Sequence, residues 1–234
     1  MTFSSIESAD SRGFFAQDGL NSLRHLLKIL VHLSTGEKSQ AEKIIEETGG
    51  SLQSLFWEVR NGEIGDIRRE ACLILSNIVL KNEKASQALV DDEECLMKIL
   101  EKVKEDFIEV GREGMWILVN LTKRMNFGKI TKLVEHGILD CFVEILDEDD
   151  VESVELGLEG IMNVLEWGDV MANCQGQRKN LFVEELKMNG GIGKIDDLQW
   201  IANEEIHRKA EEILDEFFGD EEEYDGCEIS VENE

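Results

Sequence analysis

Three asparagines recur at a single spacing. Asn77, Asn120 and Asn163 lie 43 residues apart, and His32 stands 45 residues before the first of them. A carboxamide carries both a donor and an acceptor, so it can pair with an N–H and a C=O of a neighbouring backbone. One such bond is worth only about 1 kcal/mol net, so a row of them is needed to hold anything. Trp116 precedes Asn120 by four positions and Glu113 lies three further back, which puts all three on one face of a helix. Glu70 precedes Asn77 as Glu113 precedes Asn120, and Glu159 precedes Asn163 by four.

Other chemistries find less support. His25 and His32 can share a helix face, but no cysteine or carboxylate completes a metal-ligand set with them. Residues 189–194 (NGGIGK) resemble a phosphate loop only in part. The Gly-x-x-x-x-Gly-Lys-Ser/Thr spacing is missing and no strand precedes them. No Ser/His/Asp or Cys/His arrangement stands out. The expectation is a binding protein, with no catalytic residues, no cofactor and no metal.

The elements that position these residues are helical. Leu20, Leu23, Leu26, Leu27, Leu30 and Leu33 recur every three or four residues, which predicts one buried stripe. No segment alternates long enough to compete as a strand. With no proline in 234 residues, the helices must be punctuated by Gly, Asp and Asn. Four segments align without gaps: 23–36 (LRHLLKILVHLSTG), 68–81 (RREACLILSNIVLK), 111–124 (GREGMWILVNLTKR) and 154–167 (VELGLEGIMNVLEW). Each is followed by a polar stretch and a second apolar pattern. Gly49 and Gly137, each seventeen residues after its ladder position, are expected to turn one short helix into the next in the left-handed conformation. The last copy, at 183–198, comes later, and an extra loop at 168–179 accounts for the delay.

A period near 43 residues with two or three helices per unit lies in the armadillo/HEAT range. The fold expected is all-α: an armadillo-repeat, right-handed superhelical solenoid of about four to five repeats with a C-terminal capping repeat. Residues 18–219 form the repeats, and 1–17 precede them as a capping or disordered segment. Residues 220–234 form an acidic tail expected to be disordered. The capping helix carries Ile206, Ala210, Ile213, Leu214, Phe217 and Phe218 on one face. Trp57, Trp167 and Trp200 fall outside the ladder register and are expected to pack inside. The first helix, without a repeat before it, leaves an apolar face that predicts either a cap from residues 1–16 or self-association.

Charge and cysteines narrow the partners. The net charge is −27, from 51 acids against 24 Lys and Arg, which argues against nucleic acid and favours basic ligands. From Asn203 onward, 14 acids face two bases, so the end of the chain holds a large share of that charge. Residues 1–15 lack a long apolar run, so no signal peptide is expected, and no stretch is apolar enough to cross a bilayer. Five scattered cysteines without a Cys-x-x-Cys pair fit reduced thiols in cytosol or nucleus.

Two sets of residues carry a family resemblance. Arg69-Glu70-Ala71 with Ser76-Asn77-Ile78, and Arg112-Glu113-Gly114-Met115-Trp116 with Asn120-Leu121-Thr122, resemble the third helices of importin alpha (karyopherin alpha). The run GGIGKIDDLQ at 190–199, then Asn203-Glu204-Glu205-Ile206, Phe217-Phe218 and an acidic tail, resembles that family's C-terminal capping repeat. The likeness spans about residues 18–225 and corresponds to the C-terminal half of a typical member. It implies a nuclear import adaptor, shared between cytoplasm and nucleus, that holds Lys/Arg-rich localisation signals of cargo proteins in an extended form along a concave groove. In such a groove, asparagines bond the peptide backbone. Indoles form slots for alkyl stems, and rim carboxylates meet the cationic heads.

Carried over position by position, the resemblance assigns peptide contacts to Glu70, Ser76, Asn77, Glu113, Trp116, Asn120, Glu159 and Asn163, the family's minor signal site. Glu113, Trp116 and Asn120 match completely. Leu73 stands where a Trp is expected, His32 replaces an Asn beside Lys28, and Glu159 replaces an aromatic residue. The C-terminal repeat of the family also contacts the export receptor and some nucleoporins. Members begin with a basic segment that binds importin beta, whereas residues 1–25 hold only Arg12 and Arg24, so importin-beta recruitment is not implied. The alternative is an armadillo scaffold, or an export-receptor and nucleoporin platform, that docks partners without reading a signal peptide.

Overall fold

The computed structural model describes residues 4–47, 52–123, 127–176 and 179–219, so the acidic tail and Gly49 lie outside the described residues. Thirteen helices and no strand occur among the described residues. Along the chain, α1 (Ser4–Thr35) is followed by four groups of three: α2 (Lys38–Glu47), α3 (Leu52–Asn61) and α4 (Gly65–Lys81); α5 (Glu83–Asp91), α6 (Glu93–Glu105) and α7 (Ile108–Lys123); α8 (Phe127–Glu135), α9 (Ile138–Ile145) and α10 (Val151–Gln175); α11 (Leu181–Met188), α12 (Gly191–Leu198) and α13 (Glu204–Phe218). This is the grouping an armadillo repeat requires, with α1 as the third helix of a first unit.

Without proline, asparagine and aspartate start the helices. The side chains of Asn82, Asp92, Asp150, Asn180 and Asn203 each accept a backbone N–H from the first turn of α5, α6, α10, α11 and α13 respectively. Each cap is worth about 1 kcal/mol over alanine. Gly137 (φ +86°) turns α8 into α9, as its position in the repeat predicts, and Gly190 (φ +80°) does the same between α11 and α12.

The chain divides into two compact units, Met1–Cys141 and Phe142–Glu234. In the first, the third helices lie side by side: α1 packs on α4 and α4 on α7, while α3 packs on both α4 and α6. Phe56 and Val59 of α3, Leu75 and Ile78 of α4, Leu96 of α6, and Met115 and Leu118 of α7 are fully buried there. The turn between α6 and α7 is tied to α4 by a buried ion pair. Arg68 Nε donates to Asp106 Oδ2 at 2.8 Å, Nη2 donates to Oδ1 at 2.6 Å, and Nη1 donates to the Gly62 carbonyl at 2.9 Å. In the second unit, α13 packs on α10 and α12 through Ile206, Ala210 and Ile213, which are buried; Leu214, Phe217 and Phe218 of the same face are half-buried.

Three sequence expectations are corrected. The leucine stripe of α1 is not buried as a whole: Leu27 is, whereas Leu26 and Leu33 are exposed, because none of the described residues covers that side. Residues 168–175 are not loop but the last two turns of α10, which ends at Gly176 (φ +64°). The helix continues because Gly168 leaves room for the Asn180 side chain, whose Nδ2 donates to the Leu165 carbonyl and to Asp169 Oδ1, each at 2.8 Å. Trp57 and Trp200 are exposed and Trp167 is half-buried, so none is an interior packing residue.

Candidate functional site

The expected site residues divide between the two units. Glu70, Ser76, Asn77, Glu113, Trp116 and Asn120 belong to the first, on the adjacent helices α4 and α7. Glu159 and Asn163 belong to α10 in the second.

On α4 and α7 the same register recurs: Glu70, Leu73 and Asn77 on one helix, Glu113, Trp116 and Asn120 on the other. Residues three, four and seven apart share a helix face, so each set forms one line of side chains. The two lines are joined by asparagine. Asn120 Nδ2 donates to the Ser76 carbonyl of α4 at 3.2 Å, and Asn77 Nδ2 donates to Ser34 Oγ of α1 at 3.3 Å. Each asparagine thus reaches back to the preceding third helix. Lys81 reinforces the α1–α4 seam by donating to the carbonyls of Ser34 and Gly36 at 2.5 and 2.8 Å, where a cation also favours the negative end of α1.

Exposure separates these residues. Trp116, Asn77, Glu70 and Glu113 are half-buried, with surface open to a ligand. Asn120 is 4% exposed, and its buried Oδ1 has no hydrogen-bond partner among the described residues. Leaving such an acceptor unsatisfied costs about 1–3 kcal/mol, so Asn120 gains whenever a donor reaches it. Ser76 is also buried and donates its hydroxyl to the Leu73 carbonyl of its own helix at 2.9 Å.

Arg69 is the side chain beside these acids that a residue-by-residue transfer misses. Its guanidinium lies 3.7 Å from Glu70 and 3.8 Å from Glu113, bridging the two carboxylates across the α4–α7 seam. Both acids therefore already face a cation of the protein itself. The Arg-Glu order in the sequence signals a local pair for Glu70, but the bridge to Glu113 depends on how α4 and α7 align. On α10, Glu159 and Asn163 are both half-buried, and Lys209 of α13 stands 3.8 Å from Glu159. The described residues of both units hold no cluster of His, Cys, Asp and Glu able to bind a metal.

A family profile described as an atypical Arm repeat matches residues 180–231. The chain is similar to importin subunit alpha-5 of Arabidopsis thaliana, 26% identical over 148 residues that cover 63% of this chain and 28% of that protein. It is 24% identical to importin subunit alpha-1 of Caenorhabditis elegans over 189 residues, 78% of this chain and 36% of that protein. The chain thus spans about a third or less of the lengths of these two relatives. Among solved structures, a designed armadillo repeat protein in complex with the peptide (KR)4 superposes with a TM-score of 0.68 at 22% identity, covering 88% of this chain and 84% of that one. That likeness shows the armadillo fold.

Proposed function

We propose that this importin-alpha-like armadillo protein is a nuclear import adaptor that reads Lys/Arg-rich signal peptides along the α4–α7 face. The observation that carries the reading is the recurrence of one register on two packed helices: Glu70 and Asn77 beside Glu113, Trp116 and Asn120. A peptide laid across that seam meets the Trp116 ring for the alkyl stem of a Lys or Arg. It meets Glu70 and Glu113 for the cationic head, and Asn77 and Asn120 for its backbone. A cation over an indole contributes about 0.5–2 kcal/mol according to its desolvation. Only one Trp is present, since Leu73 occupies the other position, so the slot has a single aromatic wall and the affinity expected is modest. Glu159 and Asn163 offer the same residue types on α10 of the second unit.

Binding requires two rearrangements. Arg69 must yield Glu70 and Glu113 to the incoming cation, and the Asn120 carboxamide must turn outward from Ser76. These requirements favour one other reading, an armadillo scaffold that docks folded partners and in which Arg69 and Asn120 serve the fold alone. Fluorescence anisotropy of a labelled Lys/Arg-rich signal peptide separates the two. The adaptor reading expects Trp116→Ala and Asn120→Ala each to weaken binding by about 1 kcal/mol or more, roughly fivefold. Peptide affinity unchanged in both variants would assign the face to a scaffold.

A further inference from the structure

On α4 and α7 the residues with open surface form one line along each helix. On α4 it runs through Asp66, Arg69, Glu70, Leu73, Asn77 and Lys81; on α7 it runs through Glu109, Arg112, Glu113, Trp116 and Lys123, with buried Asn120 between the last two. From the N-terminal end, both lines keep one order: acids with an arginine, then Leu or Trp, then the ladder asparagine, then a lysine about one turn beyond it. The ladder therefore divides the face by charge. Before it stand four acids and two arginines, and Arg69 is itself met by Glu70 and Glu113. Beyond it the charged residues of the two lines are Lys81 and Lys123.

The sequence sharpens that division. No acid occurs between Glu70 and Glu83 or between Glu113 and Glu135, in a chain with 51 of them, and the second span carries Lys123, Arg124, Lys129 and Lys132. Lys81 is fixed beside the ladder. Its ammonium donates to the carbonyls of Ser34 and Gly36 while Asn77 donates to the Ser34 hydroxyl, so Lys81 and Asn77 converge on one residue of α1. An ammonium has three N–H donors, and the two carbonyls take two of them. No carboxylate pairs with Lys81 among the described residues, and neutral carbonyls leave its unit charge in place. Lys123 stands exposed in the last turn of α7.

An extended chain sends successive side chains to opposite sides. Laid on the ladder across α4 and α7, it presents every second residue to the acids and the others to the lysines. A uniformly basic segment would set half of its cations against Lys81 and Lys123. We propose, resting on the peptide-binding reading of this face, that it selects extended segments in which Lys or Arg alternates with Asp or Glu. The bases of such a segment lie toward Glu70 and Glu113, and its acids lie toward Lys81 and Lys123.

The test titrates the full chain, by fluorescence anisotropy, with three labelled peptides blocked at both ends. Each has about eight residues, which extended span about 26 Å and so cross two helices packed about 8–10 Å apart. One alternates Lys and Glu. The second holds the same residues as Lys-Lys-Glu-Glu repeats, so both are neutral and the field of a chain of net charge −27 acts on them alike. The third alternates Lys and Ser and probes the face itself. The alternating Lys/Glu peptide is expected to bind at least about fivefold tighter than its isomer. Lys81→Gln/Lys123→Gln is expected to remove most of that preference. Because Lys81 also braces α1, Lys123→Gln is measured alone as well, and is expected to reduce the preference by about twofold or more. A general loosening of the fold would weaken both isomers alike and leave their ratio unmoved. Equal affinity for the isomers, or a preference that survives both lysine variants, would overturn the proposal. If Trp116→Ala then still weakens the Lys/Ser peptide, the peptide face stands and the selectivity alone falls. If Trp116→Ala leaves the Lys/Ser peptide unaltered, the face itself fails and the selectivity with it.

Discussion

Arg69 offers the sharpest perturbation of the proposed peptide face. Its guanidinium stands 3.7 Å from Glu70 and 3.8 Å from Glu113, close to the outer limit of an ion pair, with side chains 42%, 19% and 13% exposed. Pairs this long and partly solvated are worth up to about 1 kcal/mol together rather than each. Arg69→Gln keeps much of the stem and removes the charge, so both carboxylates lose one competing cation. The affinity for a Lys/Arg-rich peptide should then rise by about 1 kcal/mol, roughly fivefold in Kd. The gain should shrink as salt is raised, since ionic strength screens partly exposed charges. Anisotropy titrations of wild type, Arg69→Gln, Trp116→Ala and Arg69→Gln/Trp116→Ala at two salt concentrations measure this directly. If Arg69→Gln leaves affinity unchanged or lowers it, the guanidinium is not a competitor for the two acids, and their role as cation receptors is refuted.

Other expectations follow from the packing. Asp106→Asn leaves Arg68 charged and nearly buried without its carboxylate, which should cost about 3 kcal/mol in urea denaturation. Burial pushes the Asp106 carboxyl up, but hydrogen bonds from Arg68 and the Phe107 amide, with the charges of Arg68 and Lys102, hold it below its ordinary value of 3.8. Its stabilising share is therefore complete above about pH 4 and lost as pH falls through the lowered value, and Asp106→Asn should flatten that acid limb. Gly160→Ala and Gly193→Ala should differ in sign. The first drives a Cβ to within 2.5 Å of the Phe142 ring and should cost about 1–3 kcal/mol, whereas the second meets nothing within 4 Å inside α12 and should stabilise by about 0.5–1 kcal/mol. In native-state thiol labelling followed by peptide mapping, exposed Cys174 should react. Cys72 and Cys95, whose thiols burial pushes up to about 12, should stay unmodified until the chain unfolds.

Much of the architecture is legible because an armadillo repeat writes itself in the sequence several times. The gapless alignment of residues 68–81 with 111–124 places α4 and α7 in one register, and the structure keeps it. The turn at Gly137 was likewise readable, since glycine alone meets a positive φ without strain. What the sequence hides is how neighbouring repeats meet. Leu26 and Leu33 have the spacing of a buried stripe, and periodicity says nothing about whether a covering helix exists. Trp57 and Trp200 are large and apolar, yet amphipathic position, not residue type, sets their exposure. The α10 helix runs through a stretch rich in Gly, Asp and Asn because the Asn180 side chain packs on Gly168, a tertiary contact that overrides weak local propensity. The bridge from Arg69 to Glu113 links residues 44 apart, and no local pattern announces it. The same holds for the burial of Asn120.

The ladder asparagines carry a mechanical consequence. The carboxamide of Asn120 is a stitch between α4 and α7, as that of Asn77 is between α1 and α4. A stitch drawn outward by a ligand leaves the Ser76 carbonyl with one bond fewer and the seam more compliant. Ligand grip and spring stiffness are therefore set against each other at the same atom. A tighter hold on a guest at this rung would make the repeat stack softer at the place where the guest lies.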